Sequence, residues 1–197
     1  LSTSLGKPIV VNMSLGSQYG AHDGTDPLER AIDTFTDTAA GRIVVVAAGN
    51  DNGDNIHKRL SLAPGTTETI SLQVPTTTST TSTDVFQFTT YGNDTSALSV
   101  VVTAPDGTQA VSNAGTSVFN GNAKVYMYNF IDPESGDRKV QVYVTRTTTS
   151  TDVAGTWSIA ITNSTTSTLT LDGWLDTKGD DYTGMSVTGG DSNYLVT

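Results

Sequence analysis

The stretch RIVVVAAGND, residues 42–51, decides how this chain is read. Its apolar run, residues 43–46, passes through Ala47 and Ala48 to Gly49, and Asn50 then places an amide at the tip. A short continuous apolar run ended by a turn residue is the pattern of a strand buried in a parallel sheet. Immediately upstream, DPLERAIDTFTDTAA (residues 26–40) carries helix punctuation. Asp26 is the N-cap, Pro27 takes the first helical position, and Glu29 follows three residues after the cap. Leu28, Ala31, Ile32 and Phe35 fall at i, i+3, i+4 and i+7, one apolar stripe, and Gly41 ends the helix. Further out, KPIVVNMSLG (residues 7–16) reads as a short buried strand bounded by Pro8 and Gly16. Strand, helix and strand together predict a βαβ unit with a right-handed crossover.

From about Leu60 the hydrophobic period changes to two. TETISLQV, DVFQFTTY, LSVVVTAP, AKVYMYNF, KVQVYVTR, TWSIAITN and LTLDGWL alternate or run apolar. Turn signals separate them: Pro105-Asp106-Gly107, Asn120-Gly121, Asp132-Pro133 and Ser135-Gly136. Seven or eight short strands over about 115 residues with no helical pattern predict an antiparallel sandwich or jelly roll. Trp157 and Trp174 are expected in its core. The hydroxyl-rich STTSTD (residues 79–84) and TTTSTD (residues 147–152) read as solvated loops, with glycan acceptors or binding edges as the other reading. The tail from Asp176 is polar and Gly-rich, with no strand expected before Tyr194.

The fold class is therefore mixed: a βαβ slice followed by an antiparallel β-sandwich. The expected divisions are residues 1–60, 61–176 and 177–197, the last a return to the first unit.

Bulk properties narrow the function. The chain has 10 basic and 20 acidic residues among 197, a net charge of −10. No basic stripe exists to meet phosphates, so no nucleic-acid partner is expected. Electrostatic docking on anionic membranes is equally disfavoured, and no apolar segment approaches the ~18 residues of a helical span. The absence of cysteine excludes disulfides, thiol nucleophiles and thiolate metal sites. Thirty-five threonines with little lysine suit an extracytoplasmic β-rich protein. The chain begins at Leu1 and stops at Thr197 inside ordinary sequence, and reads as an internal fragment of something longer. A short βαβ slice leaves sheet edges and faces unpaired, so self-association is a further expectation.

The tip amide has a chemical use. A tetrahedral acyl-transfer intermediate needs fixed donors for its oxyanion, and one amide held on a rigid strand end is worth ~3 kcal/mol in the transition state. Small residues ahead of it leave room for a substrate side chain. On these residues alone, a simple turn is the competing reading.

The pair VVNMSLG and VVVAAGND resembles the two core strands of subtilisin-like serine proteases, the subtilases. The resemblance implies that Ser14, Leu15 and Gly16 form the strand lying beside the substrate peptide. Ala47, Ala48 and Gly49 would wall the pocket for the residue before the scissile bond, and Asn50 would be the oxyanion-hole donor. The ~3 kcal/mol above comes from subtilisin itself and is borrowed from it. GAHDGTDPLERAID and GNDNGDNIHKRL are similar to the branch that includes the Csp-type germination proteases, in which a jelly roll is inserted in the catalytic domain. GTWSIAITNSTTSTLTLDGWLD (residues 155–176) resembles the late part of that insert, and SNYLVT (residues 192–197) its return to the core. Asp51 departs from the branch's commoner Glu, and His57 stands where two histidines are frequent.

A subtilase needs Asp, His and Ser in that order. None of the three motifs occurs in residues 1–197, so the chain by itself is expected to be inactive. His22 lies in the loop after the substrate strand and is read as ordering that loop or lying near substrate. His57 is read as stabilising the start of the insert. The expected partners are a peptide or protein substrate and the remainder of the subtilase domain. No cofactor is expected. The acidic turns at residues 51–55 and 176–181 hold enough oxygens for Ca²⁺ but match no known loop spacing. Two rival readings stay open: a glycan- or protein-binding sandwich anchored by the α/β slice, and part of a pseudoprotease.

Overall fold

The computed structural model describes residues 6–51, 53–76, 81–92, 95, 98–112, 115–121, 123–177 and 184–190. Strands β1 (Ile9–Met13) and β2 (Arg42–Val46) pair in parallel, from Ile9 opposite Arg42 to Met13 opposite Val46. Helix α1 (Pro27–Asp37) crosses between them. Its start is the capping box that the sequence predicts. Asp26 accepts from the Leu28 N–H at 2.9 Å, and the Glu29 carboxylate accepts from the Asp26 N–H at 3.1 Å. Gly41 turns the chain into β2 with φ +80°, and a Cβ there would lie 3.3 Å from Pro8.

One expectation changes. The apolar run in β2 predicts a strand covered on both faces, yet Val10, Ile43 and Val45 are 65%, 55% and 50% exposed. Among the described residues, α1 covers one face of this two-stranded sheet and nothing covers the other. The helix is correspondingly loose, with Ile32 and Phe35 half-buried, Leu28 exposed and no residue fully buried.

The remaining strands form two antiparallel sheets. The first has the order β3-β12-β5-β10-β9-β8, built from β3 (His57–Leu62), β12 (Leu169–Thr177), β5 (Asp84–Gly92), β10 (Arg138–Arg146), β9 (Ala123–Ile131) and β8 (Gly115–Asn120). The second runs β13-β4-β11-β6-β7, from β13 (Ser186–Val187), β4 (Thr67–Val74), β11 (Gly155–Thr162), β6 (Ser99–Thr103) and β7 (Gln109–Ser112). One hydrophobic cluster draws on both sheets, including Leu62, Phe88 and Val142 from the first and Ile70, Val102 and Ile159 from the second. Trp157 of β11 meets Phe86 of β5 edge-on at 5.7 Å.

The seven strands expected from alternation all form. The sequence missed β3, β7 and β8, and it expected no strand before Tyr194 where β13 occurs. Those strands are short or polar and exist through pairing: Val187 donates to the Asn55 carbonyl at 2.9 Å, and Thr188 to Ser71 at 2.8 Å. Tyr194 and the SNYLVT segment lie outside the described residues.

Candidate functional site at the parallel strand tips

Parallel strands end side by side, and in α/β folds ligands bind at their carboxyl ends. The ladder runs one bond past β2, where Ala47 donates to the Met13 carbonyl at 3.0 Å. Ser14, Leu15 and Gly16 therefore leave β1 alongside Ala47, Ala48 and Gly49 leaving β2. A second tie closes the pair further out, as the Gln18 amide donates to the Asp51 carboxylate at 2.6 Å.

All seven residues singled out in the sequence are exposed at this end. Gly49 has φ +88°, a left-handed turn that glycine adopts without strain, and Asn50 follows it at the apex. The Asn50 carboxamide makes no hydrogen bond among the described residues. Ser14 accepts from Asn12 at 3.3 Å. No atom lies within 4 Å of where a Gly16 Cβ would stand, so that side of the strand is open to a close neighbour. Leu15 and Gly16 line a groove of about 340 Å³ with Tyr19, Leu28, Ile32 and Val46. Ser14 and the segment Ala47, Ala48 and Gly49 stand outside that groove.

The loop after β1 ends in a contact that the sequence did not reveal. His22 sits at φ +54° with its ring 4.3 Å from Trp174, and His57 packs on the same indole at 5.1 Å. His57 Nε2 and Asp172 Oδ1 are 3.0 Å apart across the β3–β12 pair, and Arg59 lies 3.8 Å from the other Asp172 oxygen. Trp174 is buried as expected, but on the outer face of the six-stranded sheet rather than between the sheets. Burial lowers the pKa of His22, opposed by a hydrogen bond with the Gln18 backbone and by the nearby Glu29 and Asp26 charges. Burial, then the Asp51 carboxylate, raises that of Asp176, so the tip turn and the end of β12 face one another. Arg30 of α1 adds a further link, donating to the Glu134 carbonyl in the β9–β10 turn at 2.6 Å.

Among the described residues no three His, Asp or Glu side chains converge as a metal site. Of the two acidic turns, Asp51 is engaged by Gln18, and Asp180 and Asp181 lie outside the described residues.

The parallel pair and its crossover helix are a βαβ unit of an α/β fold. The model described as the Subtilase family matches residues 6–166, and the chain belongs to that family. The solved structure of the CspB protease of Clostridium perfringens has the same fold, with a TM-score of 0.78 at 22% identity. That match covers 97% of this chain and 39% of the CspB chain, so the present sequence spans about two-fifths of that protein's length. No curated protein sequence matches the chain.

Proposed function

We propose that this chain is an internal part of an extracytoplasmic subtilisin-like serine endopeptidase of the Csp-type branch. It contributes the substrate-binding strand and the oxyanion donor, with a jelly roll inserted directly after them. The carrying observation is the parallel register that brings Ser14 to Gly16 beside Ala47 to Asn50 and leaves the Asn50 amide uncommitted and exposed. In the intact enzyme a serine outside residues 1–197 attacks the scissile carbonyl with a histidine as base, and the Asn50 Nδ2–H donates to the oxyanion as it forms. Alone, residues 1–197 hydrolyse no peptide. The strand orders β3-β12-β5-β10 and β4-β11-β6 support the jelly-roll reading, since along them early and late strands alternate as in a folded-over ribbon. The remainder of the catalytic domain covers the bare face of β1 and β2, and a chain lacking it self-associates there.

Asn50→Ala in the full-length protease tests the central assignment. The expected result is a kcat lower by ~10²–10³ with KM little changed, the signature of an interaction made in the transition state. Undiminished kcat overturns it.

A further inference from the structure

A second cavity, about 310 Å³ in volume, lies at the end of the two antiparallel sheets away from α1. Strand β9 relates the two regions. Its final turn meets α1 through Arg30 and Glu134, whereas Ala123 and Val125 at its start line the cavity, a separation of ~26 Å at ~3.3 Å per residue. The volume falls at the lower edge of the ~300–1,000 Å³ typical of small-molecule sites. Val102, Ala110, Ala123, Val125 and Trp157 make the interior apolar. The one donor of that set is already used, since the Trp157 indole N–H bonds to the Val153 carbonyl at 2.9 Å. Small side chains keep the space open, and an apolar void of this kind takes an apolar guest.

Among the described residues the lining holds two charged side chains, both acidic and both exposed: Asp106 in the β6–β7 turn and Asp152 in the β10–β11 loop. Each is fixed by its own turn, Asp106 accepting from Thr108 N–H at 2.9 Å and Asp152 from Ala154 N–H at 2.9 Å. Among the described residues no Lys, Arg or His lines the cavity. We propose that this cavity binds a small aliphatic amine, its hydrocarbon body between the sheets and its ammonium group against Asp106 and Asp152. The site is independent of the strand tips and does not rest on the protease reading.

Isothermal titration of the full chain with n-hexylamine, n-hexanol and n-hexanoate tests this. The expected result is saturable binding of one hexylamine, about tenfold tighter than hexanoate. Asp106→Asn with Asp152→Asn should bring hexylamine to the affinity of hexanol, whereas Asp33→Asn with Asp37→Asn on α1 should leave it unchanged. Ala110→Leu, filling the space, should abolish binding with the far-UV spectrum retained; if that variant does not fold, the aspartate pair decides. Absence of saturable amine binding overturns the proposal. So do equal affinities for amine and carboxylate, an equal loss in the α1 control, or undiminished binding to a folded Ala110→Leu.

Discussion

At the scale of single residues, two side chains matter most. Asn50 follows the left-handed Gly49 and is exposed, and the role proposed for it asks its amide to meet a developing charge from that position. His22 is held in, and its burial against Trp174 makes it a pH-sensitive contact. Its folded pKa lies below the ordinary 6.5, so near that pH the unfolded chain binds more protons than the folded one. Stability is therefore full above pH 6.5 and lost as the pH falls toward and through the lowered folded value. The facing groups are Glu29, Asp26 and His57. Asp137 and Asp176, whose pKa values are raised by burial, act in the opposite sense, so the part due to His22 is read from the difference between the native chain and a His22 variant between pH 7.5 and 5.5. Urea midpoints across that range should fall for the native chain and fall less for His22→Gln. An identical slope in the variant would remove His22 as the source.

At the scale of elements, β12 packs against β5 with no room to spare at Gly173. A Cβ on Gly173 would stand 2.6 Å from the Phe88 ring and 2.9 Å from the Thr90 methyl, closer than real contacts allow. Gly173→Ala should cost about 1–3 kcal/mol in chemical denaturation, the usual effect of overpacking; a neutral change would mean that β5 and β12 separate more easily than their packing implies. Elements with strong local signals were legible in the sequence. The capping box of α1 and the seven alternating strands are written in neighbouring residues, so local rules suffice. β3, β7, β8 and β13 were not legible, because a polar or two-residue strand exists only by virtue of the partner it pairs with. The site divides the same way. Its strand tips lie in two continuous stretches and could be read directly. The junction of His22, His57, Asp172 and Trp174 gathers residues from distant parts of the chain, and no spacing rule connects them.

At the scale of the whole molecule, the two halves differ in how fully they are buried. The antiparallel sheets share a closed core, whereas β1 and β2 show Val10, Ile43 and Val45 to solvent. Val10 pairs with Ile43 and Asn12 with Val45, so these apolar side chains form one contiguous face. A chain with this face uncovered should associate as concentration rises in sedimentation velocity, and Ile43→Lys with Val45→Lys should shift it toward monomer. A native chain monomeric at all concentrations would count against the bare face as an interaction surface.

The most direct test of the account compares a peptide boronate, which forms a tetrahedral adduct with a catalytic serine, against the matching unreactive peptide on the full-length protease. Asn50→Ala should weaken the boronate by ~10²–10³ and leave the affinity of the peptide within about twofold. Equal loss for both ligands, or for neither, would contradict the assignment of Asn50 as the donor to the oxyanion.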